Sequence, residues 1–545
     1  MLARKLRAID FTFVAVFIGQ FCSLGLMMRL DPDAHHDGIL YGAAVNVSNG
    51  GFPNRDAFAQ YGPLIPELQG LWLRLFGPSL VNIRFQALCV IVLASICIWY
   101  VAKFYVSGPI AYLISSTWAL TIPSVLPWPT AYTTLIAIFS LLAMLDLKNR
   151  GLNNGKVRIF VAGSLIAVGT FGRIHLWAIF ILISIYLIIN PDHRSKAKLW
   201  ILGFLSTLTA VLLFLQLNGA LAAFVTQCVT WPLLHYGSPD LDISYIVGLF
   251  WYPIISGSFL MMCLSIWWLK KKSLPRFLIS AIPLAAFLAL LFFSRLEKTG
   301  DLTLRNPRIL LIEYSKNMMN SLDYAVAFSM IVGTLYTIIR FRRLGPEITV
   351  PVLFAAGILA QLYPMYDVNH LWLIAPLLII SSLIAYGSSS LFTKFIRPTL
   401  VYVLTGLLIA LAFQIVAITS ISRVHFESPS LRGMLATASI AKELDETMMK
   451  LDHYAEPNTV AFDCLNGIYA GSGGDYLASS HQFVNWGPDS ELATAGESLF
   501  LCAATETMIR GYKSRGYSVV FQDPLTLFGE DEPRGYWNVL LRKKF

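Results

Sequence analysis

The sequence predicts an α-helical protein that crosses a membrane many times, and three observations lead to this fold class. The chain of 545 residues is 56% hydrophobic and only 13% charged, too little charge to cover a water-soluble protein of this size. Apolar runs close to the roughly 20 residues that cross a bilayer recur along most of the chain. The basic residues gather in short clusters between these runs, as they do in the loops of membrane proteins.

The apolar runs predict about thirteen transmembrane helices. Their ranges are 11–28, 86–102, 109–124, 133–147, 158–171, 174–190, 199–217, 246–269, 277–293, 323–339, 348–363, 371–388 and 399–421. The run between 158 and 190 is barely twice the minimum length of a span. Because Gly172 and Arg173 lie in its middle, we expect a tight helical hairpin there and not one long helix.

The loop charges give these helices an orientation. With the N-terminus in the cytoplasm, every major basic cluster of a short loop falls on the cytoplasmic side, as the positive-inside rule requires. The net charge of +9 is therefore explained without nucleic-acid binding. The odd number of spans places the tail of the chain outside. We expect a multi-pass protein of the plasma membrane with an extracytoplasmic C-terminus.

The chain divides into two predicted parts. Residues 1–421 form a transmembrane domain whose first outward loop covers 29–84, and residues 422–545 form an outer C-terminal domain. The tail combines a helical stretch at 431–451 with β-like runs at 459–462 and 517–522, which predicts a small α+β domain. Cys464 and Cys502 lie in this tail, and a disulfide between them stays open.

The first outward loop carries the densest polar cluster of the chain. Its members are Asp31, Asp33, His35, His36 and Asp37, followed by Asn54, Arg55, Asp56, Gln60 and Tyr61. A carboxylate at a membrane surface can act as a general base toward a hydroxyl or amine, and a neighbouring Arg or His can hold a phosphate leaving group. We expect Asp31 and Asp33 to cap a helix. Asp37 and Asp56 are the candidate catalytic carboxylates, because each adjoins an amphipathic segment.

Two further outward sites can converge with this loop. Arg173 and His175 lie at the tip of the predicted hairpin, where an Arg is costly unless it is paired or faces water. Snorkelling of Arg173 to the lipid headgroups is the alternative. Asp367 and His370 lie in a turn between two helix ends and share one face if the helix begins there. Helix capping is an equal alternative for that pair.

Several of these motifs resemble the GT-C superfamily of polytopic glycosyltransferases. They are His36-Asp37-Gly38, the stretch Asn54-Arg55-Asp56-Ala57-Phe58-Ala59-Gln60-Tyr61-Gly62-Pro63-Leu64, then Leu75-Phe76-Gly77, and Arg84. The bacterial branch with lipid A aminoarabinose transferases and protein O-mannosyltransferase-like enzymes is the most similar. The resemblance covers the transmembrane region. It implies about thirteen spans, a bacterial inner-membrane location and inverting sugar transfer from a polyprenyl-phosphate donor.

The resemblance also implies roles for residues. Asp37 matches the acidic residue that the family uses as catalytic base, and Asp56 matches a second acidic position of the same loop. The usual adjacent acidic pair is here Asp37-Gly38, so the base remains open between the two carboxylates. The residues expected to bind substrate are His36, Arg55, Gln60, Tyr61, Arg173, His175, Asp367 and His370.

The partners that follow are a polyprenyl-phosphate-linked sugar, a glycan, lipid or protein acceptor, and the lipid bilayer, without nucleic acid. No cofactor is expected and no metal ligands are assigned, although the Asp and His residues of the first loop permit a divalent metal. Three alternatives compete with the transferase. They are a transporter or flippase of lipid-linked sugars, an O-antigen ligase or polymerase, and a non-catalytic envelope protein.

Overall fold

A computed structural model of the chain describes residues 11–33, 36–120, 125–149, 151–230, 232, 345–362, 368–386, 422–428, 431–454, 460–462, 499–524 and 536–543. The predicted helices at 246–269, 277–293, 323–339 and 399–421 lie outside these residues.

The described residues are mostly helical. The helices are α1 (Phe11–Met27), α2 (His36–Ser48), α3 (Leu64–Phe76), α4 (Leu80–Ala102), α5 (Gly108–Leu120), α6 (Pro129–Met144), α7 (Lys156–Thr170), α8 (Trp177–Ile189), α9 (Arg194–Leu217), α10 (Leu221–Val225), α11 (Pro346–Ile358), α12 (Val368–Tyr386), α13 (Ala438–Tyr454) and α14 (Glu506–Ser514). The strands are β1 (Leu145–Asp146), β2 (Gly151–Leu152), β3 (Val424–His425), β4 (Leu435–Ala436), β5 (Val460–Phe462), β6 (Leu499–Thr505), β7 (Tyr517–Pro524) and β8 (Tyr536–Lys543).

The predicted hairpin between 158 and 190 is confirmed. Helix α7 ends at Thr170, a short 3-10 turn covers Ile174–Leu176, and α8 begins at Trp177. Other predicted boundaries move. Helix α4 begins at Leu80 and not at residue 86, because the Ser79 hydroxyl accepts a hydrogen bond from the Asn82 amide and caps the first turn.

Two helices among the described residues are long and apolar enough to cross a membrane. They are Leu80–Ala102, with 23 residues, and the helical stretch Pro191–Leu217, with 27 residues. Other apolar helices of the described ranges are shorter, such as α1 with 17 residues and α6 with 16 residues. The count of about thirteen spans therefore stays a prediction. Helix α8 exposes Ile181, Ile185 and Ile188 along one face, an apolar stripe of the kind that lipid covers.

Close contacts between helices build the core. Gly163 of α7 and Gly203 of α9 bring the two helix backbones together, and a Cβ atom at either position would collide with the opposite main chain. Helix α12 is fixed to α5 by two tryptophans. The indole of Trp118 donates to the carbonyl of Trp372 over 3.1 Å, and Trp372 donates back to Trp118 over 3.2 Å. Their rings stack with centroids 4.5 Å apart.

The first loop, residues 29–84, is folded and largely buried. Its helix α2 is enclosed along almost its whole length, and α3 packs on it through Gly70, which lies against Val47. The opposite face of α3 exposes Leu68, Leu71 and Leu75. Helix α3 therefore has the two-sided character of a helix that lies along a membrane surface.

The tail combines helices with a mixed sheet. The sheet has the strand order β5-β6-β8-β7, with β5 and β6 parallel and the other neighbours antiparallel. The predicted strands at 459–462 and 517–522 correspond to β5 and β7. The prediction of one helix over 431–451 is wrong at its start. Residues 431–437 form a turn and β4, and α13 begins at Ala438.

The tail packs against the first loop. Strand β4 lies beside the residues that follow α1, where Asp31 donates its amide to Leu435 and Leu435 donates back to Arg29. Side chains of α2 and α4 share an apolar cluster with α13 and the sheet, including Tyr41, Ile83 and Leu444. The division of the chain at residues 421 and 422 stays a prediction, and the described parts of both sides share this cluster.

Candidate functional site

The two candidate carboxylates occupy different environments, and Asp37 is the buried one. Asp37 lies in the first turn of α2 with no exposed surface, and Arg84 of α4 is 1% exposed. The guanidinium donates to Asp37 through Nε over 3.1 Å and through Nη2 over 2.5 Å. The Asp33 amide donates to the same carboxylate over 2.8 Å.

Arg84 also holds the start of the first loop in place through hydrogen bonds. Its remaining hydrogen bonds go to the carbonyl oxygens of Met28, Leu30 and Asp31, at 2.8–3.2 Å. Burial raises the pKa of Asp37, and the Arg84 guanidinium opposes that rise. Both carboxylate oxygens are occupied and no solvent reaches them. A catalytic role for Asp37 stays a prediction, because contact with a substrate requires this ion pair to open.

Asp56 is the accessible carboxylate of the loop. Its side chain is 34% exposed and that of Arg55 is 45% exposed. Arg55 donates to Asp56 through Nε over 2.8 Å and through Nη2 over 2.5 Å, and the Phe52 amide donates to Asp56 over 2.8 Å. The hydrogen bonds from Arg55 hold the pKa of Asp56 below its usual range. Asp56 is therefore an ionised carboxylate within reach of solvent.

A second polar cluster forms where the first loop meets the hairpin tip. Arg173 is 3% exposed and donates to the hydroxyl of Thr130 at the start of α6. Its guanidinium lies over the ring of Tyr61, with Cζ 5.4 Å from the ring centroid. The main chains also touch. Leu64 donates its amide to Phe171 over 3.1 Å.

Two histidines complete this cluster. Trp128 donates its indole N–H to Nε2 of His370 over 2.9 Å. The ring centroids of Tyr61 and Trp128 are 5.2 Å apart. His175 is half-buried and interacts with both Arg173 and His370. Arg173 brings a permanently charged guanidinium into the cluster.

The structure thus brings four of the predicted binding residues together. Tyr61, Arg173, His175 and His370 converge from the first loop, the hairpin and the start of α12. Gln60 is buried beside Tyr61 in the same loop. Asp367 and the side chain of His36 lie outside the described residues, as does Cys464.

Sequence reasoning assigned no role to several residues that hold the site. Trp128 precedes α6 and Thr130 lies in its first turn, in the short stretch between the predicted spans at 109–124 and 133–147. Gln361 meets Thr133 over 3.2 Å in the buried region next to Thr130. The available signal was Trp128 next to a proline at the start of a helix. This pattern does not specify His370 as the partner, which lies 242 residues away.

A small apolar cavity lies next to the loop. It has a volume of about 200 Å³ and is lined by α3, α7, α9 and Phe52. Glu67 is its one charged lining residue, and burial raises the pKa of this carboxyl group. In the described part of the chain, no group of three His, Cys, Asp or Glu side chains is arranged to hold a metal ion.

Comparisons with known proteins find similar structures but no similar sequences. No family model matches the chain, and no curated protein matches it. The ArnT structure from Cupriavidus metallidurans bound to undecaprenyl phosphate is 11% identical, covers 97% of this chain and 98% of its own, and has a TM-score of 0.45. The archaeal oligosaccharyltransferase AglB from Archaeoglobus fulgidus, in complex with an inhibitory peptide and a dolichol-phosphate, is 12% identical. That match covers 96% of this chain and 75% of AglB, with a TM-score of 0.46.

Both proteins are GT-C glycosyltransferases, the superfamily that the motifs of the first loop resemble. At these identities and TM-scores, the likeness identifies neither a reaction nor a substrate for this chain.

Proposed function

We propose that the chain is a membrane glycosyltransferase that moves a sugar from a polyprenyl-phosphate donor to an acceptor at the outer membrane face. The observation that carries the proposal is the buried Arg173 cluster, which adjoins the loop with the accessible Asp56. A buried guanidinium over the Tyr61 ring provides a fixed positive charge for a phosphate. Asp56 provides an ionised carboxylate five residues before Tyr61 in the same loop.

The proposed reaction is a single displacement with inversion. An acceptor hydroxyl or amine attacks the anomeric carbon of the donor, and the bond between that carbon and the phosphate oxygen breaks. Asp56 orients the acceptor and takes its proton. The departing polyprenyl phosphate gains negative charge, which Arg173 stabilises, while Tyr61 and His370 fix the position of the guanidinium and its surroundings. Asp37, in its pair with Arg84, holds the start of the loop.

The chemistry favours a lipid-anchored donor. The exposed isoleucine face of α8 and the exposed leucines of α3 suit a hydrocarbon and a membrane surface, respectively. Arg173 belongs to the hairpin between α7 and α8, so the phosphate site lies at the end of two apolar helices. A plasma-membrane location with the catalytic loop outside is part of the same proposal, as is the topology of about thirteen spans.

The test is a transfer assay on the full chain in lipid vesicles with a panel of polyprenyl-phosphate sugars and acceptors. We expect wild-type protein to form a glycosidic bond, and Asp56→Asn to lower the rate by about 10²–10⁴-fold through loss of the base. Asp192→Asn is the matched control, because Asp192 is exposed at the other end of α8 and should keep full activity.

Two outcomes would contradict the proposal. Full transfer by folded Asp56→Asn would remove Asp56 from the reaction. Movement of the lipid-linked sugar across the vesicle membrane by wild-type protein, with no glycosidic bond formed, would replace the transferase by a flippase.

A further inference from the structure

The segment after α9 contacts residues 52–60, the part of the first loop that carries Asp56. We call these residues the Asp56 loop, and the segment lies more than 150 residues away from it in sequence. Residues 218–230 comprise Asn218, which caps the end of α9, the short helix α10 and a π-helical turn, Thr226–Thr230. Gln227 and Cys228 of this turn are buried and face residues 52–60. We infer that Gln227 is a positioning residue, which holds the Arg55–Asp56 pair in place for catalysis. The inference rests on the proposed function for its kinetic consequence.

Gln227 makes three hydrogen bonds, and each of them ends on the Asp56 loop. Its Oε1 accepts from the Asn54 side chain over 2.8 Å and from the Ala59 amide over 3.0 Å. Its Nε2 donates to the Asn54 carbonyl over 3.0 Å. The amide of Gln227 therefore bridges the two ends of the short segment that carries Arg55 and Asp56. Since the side chain is 6% exposed, water does not replace these bonds.

The turn that carries Arg55 and Asp56 requires hydrogen bonds from outside because its backbone is strained. Asn54 has a φ angle of 66°, in the left-handed region that residues other than glycine rarely adopt. The Asn54 amide donates to Ala57 over 2.8 Å, so Arg55 and Asp56 lie at the tip of a tight turn. A strained conformation persists where its surroundings over-determine it. The bonds from Gln227 to Asn54 and Ala59 contribute to this constraint, together with the bond from the Asn54 side chain to the Ala59 carbonyl over 3.0 Å.

The same segment also fixes the other partner of the pair. Arg55 donates through Nη1 to the carbonyl oxygen of Asn218 over 3.0 Å, at the end of α9. Gly219 follows with a φ angle of 70° and lies against the Arg55 side chain. Arg55 is thus oriented from Asn218, and the turn beneath Asp56 is oriented from Gln227. The direction of the Asp56 carboxylate depends on both.

The contact with the loop comes from two adjacent residues of the π-helical turn. Cys228 lies 3.1 Å from the Ala59 carbonyl oxygen, and Gln227 accepts a hydrogen bond from the Ala59 amide. Single π-helical turns of this kind are frequent at functional sites.

The kinetic test compares Gln227→Ala with Gln216→Ala in the transfer assay. Gln216 has the same side chain and is exposed near the end of α9, so its loss should leave the rate unchanged. We expect Gln227→Ala to lower kcat by about 10–100-fold, as a displaced catalytic group does, with the donor KM nearly unchanged. In the double variant with Asp56→Asn, the Gln227→Ala change should have no further effect, because it acts through Asp56.

A second measurement does not depend on activity. Hydrogen exchange on the full chain should show faster exchange for 52–60 in Gln227→Ala than in Gln216→Ala, with α2 and α3 unchanged. The positioning role would be overturned by equal exchange rates of residues 52–60 in the two variants. It would also be overturned if Gln227→Ala lowered kcat by the same factor in the Asp56→Asn background as in the wild-type background. If wild-type protein transfers no sugar, the proposed function fails while the exchange measurement still decides whether Gln227 holds this loop.

Discussion

The first loop contains two Asp–Arg pairs with nearly the same geometry and opposite surroundings. In each pair, Nε and Nη2 of the guanidinium donate hydrogen bonds to the carboxylate, and the distance from Nη2 to Oδ2 is 2.5 Å. Asp37 and Arg84 are enclosed, whereas about a third of the Asp56 side chain and nearly half of the Arg55 side chain are exposed. Burial therefore decides what each pair can do. The buried pair holds the start of the loop against α4, and the exposed pair leaves its carboxylate accessible to solvent.

The largest effect that this comparison predicts is on stability. Arg84→Ala leaves the Asp37 carboxylate buried without its counter-ion and frees three carbonyl oxygens of the loop start. We expect a loss of about 3–5 kcal/mol in the free energy of unfolding. Thermal or denaturant unfolding in detergent measures it.

A double variant separates the contribution of charge from that of packing at the Asp37–Arg84 pair. Asp37→Leu combined with Arg84→Met removes both charges and keeps apolar volume, so it should recover much of the stability that Arg84→Ala loses. If Arg84→Ala unfolds like wild-type protein, Asp37 is not held by this pair and its catalytic assignment becomes the stronger one.

An intermediate effect is predicted for the pH dependence of transfer. In Arg55→Ala, Asp56 loses the hydrogen bonds that depress its pKa, while partial burial continues to raise that pKa. The reactive form is the ionised carboxylate, so the acid limb of the kcat/KM profile should move to higher pH. Rates measured between about pH 4 and 7 show the shift, and the exposed Arg194→Ala variant should not. An unmoved acid limb would mean that Asp56 is not the titrating base.

The smallest effect is the stability contribution of the exposed pair. Arg55→Ala should change the free energy of unfolding by less than about 1 kcal/mol, since solvent screens the attraction. Raising the salt concentration should weaken this pair and leave the Asp37–Arg84 pair nearly unaffected. Unfolding curves at low and high salt test both statements. A large salt dependence of the buried pair would contradict the contrast between the two.

Sequence patterns predicted local features well where they depend on short stretches of chain. Gly172 and Arg173 indicated the hairpin, because an apolar run of that length cannot be two helices without a turn. The strand at 517–522 followed from its β-branched and aromatic residues. The start of α13 was missed, since Leu435–Ala436 form β4 by pairing with β3 and with Leu30, and no local signal specifies these partners.

The site was predictable as a set of residue types but not as a set of distances. Tyr61, Arg173 and His370 were selected because each lies at a predicted outer helix end or loop, and the structure brings them together. The sequence did not distinguish the two carboxylates, because burial depends on Arg84 lying 47 residues beyond Asp37. It also gave no indication of Gln227, whose partners are more than 160 residues away.

The reciprocal tryptophan bonds between α5 and α12 limit how the site can move. His370 lies two residues before Trp372, whose carbonyl and indole are both held by Trp118. If α12 slid along its axis, it would break two buried hydrogen bonds, each costing about 1–3 kcal/mol when left unmade. The tryptophan pair therefore holds α12 against α5 and fixes the depth of His370 in the bundle.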